Sequence, residues 1–423
     1  MKFSGFSHLF LADYGVAVLA KVTRALLILP LICKNAYKNT KEATFMLSLQ
    51  KTSFVSVLAA LILVLFVANV VHAAGVVATV GVGASPEGVA HDSGKGEIFV
   101  ANSGDRTVLV ISDNSNSVIA NVTVGNLPTN LAYDSAKGEV YVVNSEDHNV
   151  QVISDTTNRL IPNVNITVGP LPLGIAYDSG NGELYVANEY GKSVSVISDT
   201  TNTVVTNVTV GTYPWSVTYD SGKSELFVVN NGNNSVSVIS DVNNSVIATV
   251  SVGTSPYYAA YDSATGEIYV TNYGDNSISV ISDSNNTVVA TIPVGNNPQD
   301  AAYDSGQSEI YATNVGSNTV SIISDATNAV VATVPVGNTP FGAAYDSSKG
   351  EVFEANYDSH TLSVISDSPD VTPNPTSPNQ FGSGTPGPTV PEFGNLTLIF
   401  AFIIMAMVAL CTAGATSKNK FLV

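Results

Sequence analysis

One unit of about 42 residues, written seven times, constrains this chain more than any other feature. Each copy runs Val-Gly-x-x-Pro, then Tyr-Asp-Ser, then Gly/Ser-Glu, then Asn, then Ile-Ser-Asp. The glycine ahead of the proline recurs at Gly83, Gly125, Gly169, Gly211, Gly253, Gly295 and Gly337, with spacings of 42, 44, 42, 42, 42 and 42. The two extra residues lie near Ile161 and Pro162. One unit cannot bury its own apolar face, so copies must pack on one another. A period of ~40–45 residues with four short strands per unit marks a β-propeller.

The unit Pro256 to Gly295 shows the local logic. Tyr258 to Asp262, Glu267 to Asn272, Ser277 to Ser282 and Thr287 to Val294 read as strands, rich in Val, Ile, Thr and Tyr. Between them stand Ser-Ala-Thr-Gly, Tyr-Gly-Asp-Asn and Asp-Ser-Asn-Asn, whose Asx and Gly residues suit hairpin turns. The Tyr-Asp-Ser aspartates, the Ile-Ser-Asp aspartates and the asparagines ending strand two recur in every unit. A catalytic site breaks symmetry, so these are read as architecture, through Asx-turn bonding.

Tyr269-Val-Thr-Asn272 is the literal motif of the YVTN family of β-propeller repeats, and Tyr141 to Asn144, Tyr185 to Asn188 and Tyr311 to Asn314 are variants of it. The other three units start with Phe99, Phe227 or Phe353. The chain resembles this family, of archaeal surface-layer type, from about Val76 to Asp367. The resemblance implies an inner strand at the proline loop and an outer strand at the Val-Val-Ala-Thr-Val segment. The seventh unit then lacks its outer strand, and Val77 to Val82 is expected to supply it. The expected fold is therefore all-β: a closed ring of seven four-stranded blades, with flanking apolar helices.

The ends carry an address. Lys51, the apolar run Phe54 to Val71 and the small residues Ala73 and Ala74 make a secretory signal peptide over 46–74. Met46 is read as the start, and 1–45 as an artefactual extension. At the other end, 368–390 is a Pro/Thr/Ser/Gly linker. Pro391, Glu392, Phe393 and Gly394 follow, then an apolar stretch from Leu396 to about Gly414, then Lys418 and Lys420. That stretch reaches the ~17–25 residues a membrane helix needs. The tail over 391–423 resembles a PEFG-type archaeal sorting signal, which implies an archaeosortase-like processing enzyme. The body, 75–367, is expected on the outer face of the cell membrane, held at its C-terminus by a helix or a lipid.

Acids outnumber bases 34 to 16, giving a net charge of −18, which argues against nucleic acid as a partner. Cys33 and Cys411 both lie in terminal segments, so the repeats hold no thiolate metal site. No His-x-x-x-His pair, Gly-x-Ser-x-Gly elbow, P-loop or EF-hand loop occurs. His91 replaces the Tyr of the first Tyr-Asp-Ser. Sequons at Asn121, Asn165, Asn207, Asn233, Asn243 and Asn285, with Asn395 in the tail, are candidate glycosylation sites of an exported chain.

Function is expected where the symmetry breaks. The residue after each repeat proline is Glu87, Thr129, Leu173, Trp215, Tyr257, Gln299 or Phe341, and the next is Gly88, Asn130, Gly174, Ser216, Tyr258, Asp300 or Gly342. These should ring one mouth of the channel, where the turns add Tyr190, Tyr273 and Tyr357. Trp215, Tyr257, Tyr258, Tyr273, Asp300 and Phe341 are the candidate ligand-binding set, suited to sugar rings or peptide segments. The expected function is a non-catalytic surface coat or binding module without a cofactor, with cell-surface glycans or envelope proteins as partners. The alternative is an extracellular hydrolase or lyase with a metal at the channel mouth, held by Glu87, Asn130, Gln299 and Asp300.

Overall fold

The computed structural model describes residues Ala74–Asp367; the signal peptide, linker, sorting motif and apolar tail read from the sequence lie outside the described residues. Among the described residues no helix is long and apolar enough to cross a membrane. Twenty-eight strands form seven four-stranded antiparallel sheets. Blades 1 to 6 span Pro86–Thr123, Pro128–Thr167, Pro172–Thr209, Pro214–Ser251, Pro256–Pro293 and Pro298–Pro335. Blade 7 has three strands of its own, Pro340–Asp346, Glu351–Asn356 and Thr361–Ser366.

Its fourth strand comes from the other end of the body. Gly75–Gly81 (β1) pairs with Thr361–Ser366 antiparallel, from Gly75 opposite Ser366 to Gly81 opposite Thr361. The closing strand inferred from the repeat phase is thus present, placed at Gly75–Gly81. The first strand of each blade lies innermost and touches its two neighbours around the whole ring, Pro86–Asp92 against Pro340–Asp346 included. The two extra residues of the second repeat lengthen its outer strand to Arg159–Thr167 and enlarge, between Gln151 and Ile153, the bulge that every blade carries in this strand pair.

The hydrophobic core is divided among the gaps between blades. Tyr185, Val196 and Val208 of blade 3 meet Val217, Leu226 and Ile239 of blade 4. At the closure, Val80, Phe353, Leu362 and Val364 meet Val89, Ile98 and Ile111 of blade 1. Strand two is apolar on both faces because it has a blade on either side.

Repeated polar residues hold each blade. The Asp92 carboxylate accepts the backbone N–H of Gly94 and Lys95 at 2.8 and 3.2 Å, and Asp134, Asp178, Asp220, Asp262, Asp304 and Asp346 cap their own turns in the same way. The asparagine ending strand two is buried: Asn272 donates to Ser277 and Ser279 at 3.1 and 2.9 Å. The repeat glycine must be glycine because that asparagine lies on it. A Cβ on Gly337 would stand 2.4 Å from Asn356 Cγ.

Candidate functional site

The first strands of blades 4 and 5 and the turn after strand two of blade 5 bring three aromatic rings together. Trp215 meets Tyr257 edge-on at 4.5 Å between ring centroids, and Tyr257 meets Tyr273 at 5.0 Å. All three rings are half-buried. Such spacings are direct contact, so nothing fits between the rings. They form a platform to be stacked upon, not a cage.

Tyr258 does not join the platform surface. Its hydroxyl accepts a 3.5 Å hydrogen bond from the Asn130 amide, three blades away in the ring, so the phenol spans the channel. Burial drives its pKa far up, and the Asp300 and Glu87 carboxylates add to the shift. Asp300 is engaged by backbone, accepting from Ala301 N at 2.7 Å and Ala343 N at 3.1 Å. Burial outweighs those bonds and raises its pKa to about 7. Burial likewise raises Glu87 to about 7, against a hydrogen bond from Ser103. Gln299 is buried, and its backbone carbonyl accepts the Thr271 hydroxyl at 2.8 Å. Phe341 stands apart in blade 7, stacked on Tyr357 at 5.2 Å. Of the six candidates, the structure gathers Trp215, Tyr257 and Tyr273 on one surface, turns Tyr258 away from it into the field of Asp300, and leaves Phe341 elsewhere.

Two neighbours of the platform escaped the sequence reading. Tyr213 pairs edge-on with Tyr190 at 6.2 Å, and these rings are 44% and 65% exposed, a second aromatic surface on the flank of blades 3 and 4. Glu189 is half-buried with its pKa raised by burial, and its charge reaches Tyr257. Tyr213 was findable. It precedes the repeat proline, a position that varies as freely (Ser85, Leu127, Leu171, Ser255, Asn297, Thr339) as the two after it. Its φ of 53° is shared by all seven units, so that conformation belongs to the scaffold.

A second candidate lies in the seams between blades. Each seam sets a Tyr-Asp-Ser aspartate of one blade beside the Ile-Ser-Asp aspartate of the next, with the next blade's tyrosine between them. In the first seam Tyr133 faces Asp92 and donates to Asp155 at 3.5 Å, while Lys95 pairs with Asp155 at 3.4 Å. Lys137 and Lys223 repeat this pairing with Asp199 and Asp283 at 3.3 and 3.6 Å. Asn181, Thr265 and Gln307 stand where lysine would in three other seams. There Asp241, Asp325 and Asp367 are pushed up, by burial first and then by Asp178, Asp262 and Asp304; Asp367 reaches about 6. At the closure, His91 takes the tyrosine's place between Asp346 and Asp113. Its Nε2 lies 3.5 Å from Asp346 Oδ1, and Lys349 pairs with Asp113 at 3.3 Å.

The six sequon asparagines within the described residues are all exposed. Asn121, Asn165 and Asn207 lie on outermost strands, Asn243 and Asn285 in the turns that lead into them, and Asn233 in a single 3₁₀ turn after strand two.

No family model matches the chain, and no curated protein matches it. Among solved structures it is similar to hydrazine synthase of Kuenenia stuttgartiensis, at 20% identity and a TM-score of 0.60, over 68% of this chain and 96% of that one. At that identity the likeness shows the propeller fold alone.

Proposed function

We propose that this chain is an exported, membrane-anchored surface protein of YVTN type, and that its propeller is a non-catalytic binding module. The observation that carries the binding reading is the contiguous platform of Trp215, Tyr257 and Tyr273, with Tyr190, Tyr213 and Glu189 on its flank. Rings in mutual contact offer flat apolar faces edged by hydroxyls, amides and a carboxylate. That chemistry suits the apolar face and hydroxyl rim of a sugar, so a cell-surface glycan is the ligand class favoured. The apolar segments at both ends, the PEFG tetrapeptide and six exposed sequons support an exported, glycosylated protein held at the membrane.

The metal-dependent hydrolase is less well supported. Asp300 is committed to two backbone N–H groups, Gln299 is buried, and Tyr258 occupies the space between blades 5 and 2. Trp215 is the only tryptophan, so its emission reports on the platform alone. Titrating the full chain in detergent with cell-surface glycans should give a saturable emission change, and calorimetry should show the binding lost in Trp215→Phe. Flat titrations by both methods would remove the platform as a ligand site.

A further inference from the structure

The ring closes at the seam where histidine replaces tyrosine, and the repeat itself does not require that exchange. Six seams place Tyr133, Tyr177, Tyr219, Tyr261, Tyr303 or Tyr345 between the two aspartates. A phenol there can only donate or accept a proton, whereas an imidazole can also ligate a metal.

The His91 side chain is 8% exposed, and its Nε2 has no hydrogen-bond partner. It points between Asp346 of blade 7 and Asp113 of blade 1, both buried. Asp346 Oδ1 accepts from the backbone and hydroxyl of Ser348, while its Oδ2 has no partner. Among the described residues, these three side chains form a set whose ligand atoms all lie within 4.8 Å of one another. Ligands on a tetrahedral zinc at ~2.1 Å stand about 3.4 Å apart. The 3.5 Å from His91 Nε2 to Asp346 already meets that, and a rotation of Asp113 closes the rest.

We propose that this seam is a divalent transition-metal site, of zinc type, with His91, Asp113 and Asp346 as its protein ligands. One imidazole and two carboxylates suit such a dication better than calcium or magnesium, which favour all-oxygen shells. Lys349 is the internal counter-ion of the metal-free seam. Its side chain is 24% exposed, so the ammonium can swing into water when the metal enters. The charge balance favours the exchange, since Glu351 adds a third carboxyl to the seam's field against this single lysine. A metal here bonds blade 7 to blade 1 and reinforces the β1 closure.

The test uses the full chain in detergent, stripped with a chelator. Zinc should bind and raise the melting temperature, and cobalt should give the visible absorption of a low-symmetry site. His91→Tyr installs the residue of the other six seams, so it should fold; its zinc affinity should fall at least tenfold. Lys349→Met removes the competing ammonium and should tighten binding about tenfold. Equal zinc affinity in wild type and His91→Tyr would overturn the assignment, as would absence of binding in both wild type and Lys349→Met. A stabilisation on acidification that is lost in His91→Tyr, with no zinc effect, would show that a proton fills the seam instead.

Discussion

Adding one hydroxyl at Phe227 should stabilise the ring. In three of the four motifs that begin with tyrosine, the hydroxyl donates to an asparagine in the next blade: Tyr141 to Asn202 at 2.9 Å, Tyr185 to Asn244 at 2.8 Å and Tyr269 to Asn328 at 2.9 Å; the Tyr311 hydroxyl is buried without a partner. Where it begins with phenylalanine, the asparagine is still there. Asn158, Asn286 and Asn116 stand opposite Phe99, Phe227 and Phe353 by the same repeat spacing, and the Oδ1 of each is buried without a partner. Phe227→Tyr supplies the missing donor to Asn286. The space exists, since tyrosine occupies it in the blades that carry one, so overpacking does not enter.

A new hydrogen bond contributes a net ~0.5–1.5 kcal/mol, and an orphaned buried acceptor costs ~1–3 kcal/mol. The gain should therefore be about 1–2 kcal/mol, or a rise in Tm of roughly 2–4 °C for a body of this size. Calorimetry and guanidinium melts would measure it. Asn286→Gly provides the control background, because the left-handed φ of 55° at Asn286 suits glycine. The gain should vanish there, and Tyr269→Phe should lose a similar amount in the wild type. A neutral Phe227→Tyr, or the same gain without Asn286, would refute the pairing.

Gln307→Lys should complete the lysine-free seam at Asp304 and Asp367. The folded pKa of Asp367, about 6, lies above its unfolded value, so stability falls as pH rises from about 4 through 6. A partly exposed lysine should recover about 1 kcal/mol at pH 7.5 and little at pH 3.5, where the carboxyl is mostly protonated in both states; an equal gain at both pH values would sink the argument. Glu354→Val should also stabilise. Glu354 is fully buried with neither oxygen bonded and its pKa pushed well up by burial, at a position where five other blades carry valine and one alanine. The expected gain is about 2–3 kcal/mol at pH 7 by chemical denaturation, shrinking near pH 4; a loss of stability would mean that the carboxyl has an essential partner.

The ring was legible in the sequence because a repeat states its own period, and a period of four short strands leaves few architectures open. Even the outlier was legible: the two extra residues near Pro162 appear as a longer outer strand. The site was less so. The two positions after each repeat proline were marked as variable, and the equally variable one before it, which holds Tyr213, was not. Sequence position alone could not tell that Tyr258 runs across the channel to Asn130 while its neighbour Tyr257 joins Trp215 and Tyr273. Adjacent residues of a strand take opposite faces, and which face meets the channel depends on the bulge after the proline. Nor could periodicity show that Asp300 would be engaged by Ala343 of the next blade, a contact made only where blades 6 and 7 pack.

Departures from the repeat fall into two kinds, and burial separates them. Trp215, Tyr257, Tyr273, Tyr190 and Tyr213 keep solvent contact, so exchanging them for another unit's residue costs the ring little and alters what a partner meets. His91 and Glu354 are buried, and each replaces a residue that the other blades show to be sufficient. A buried polar exchange is costly unless something pairs with it. Both sit in seams that flank blade 7, the blade assembled from the two ends of the body. His91 has two carboxylates in reach, and a metal would use all three groups. Glu354 has no bonded partner at all, and so predicts a gain on removal. The same rule therefore yields opposite expectations: His91→Tyr should cost the protein a ligand, and Glu354→Val should relieve it of a charge.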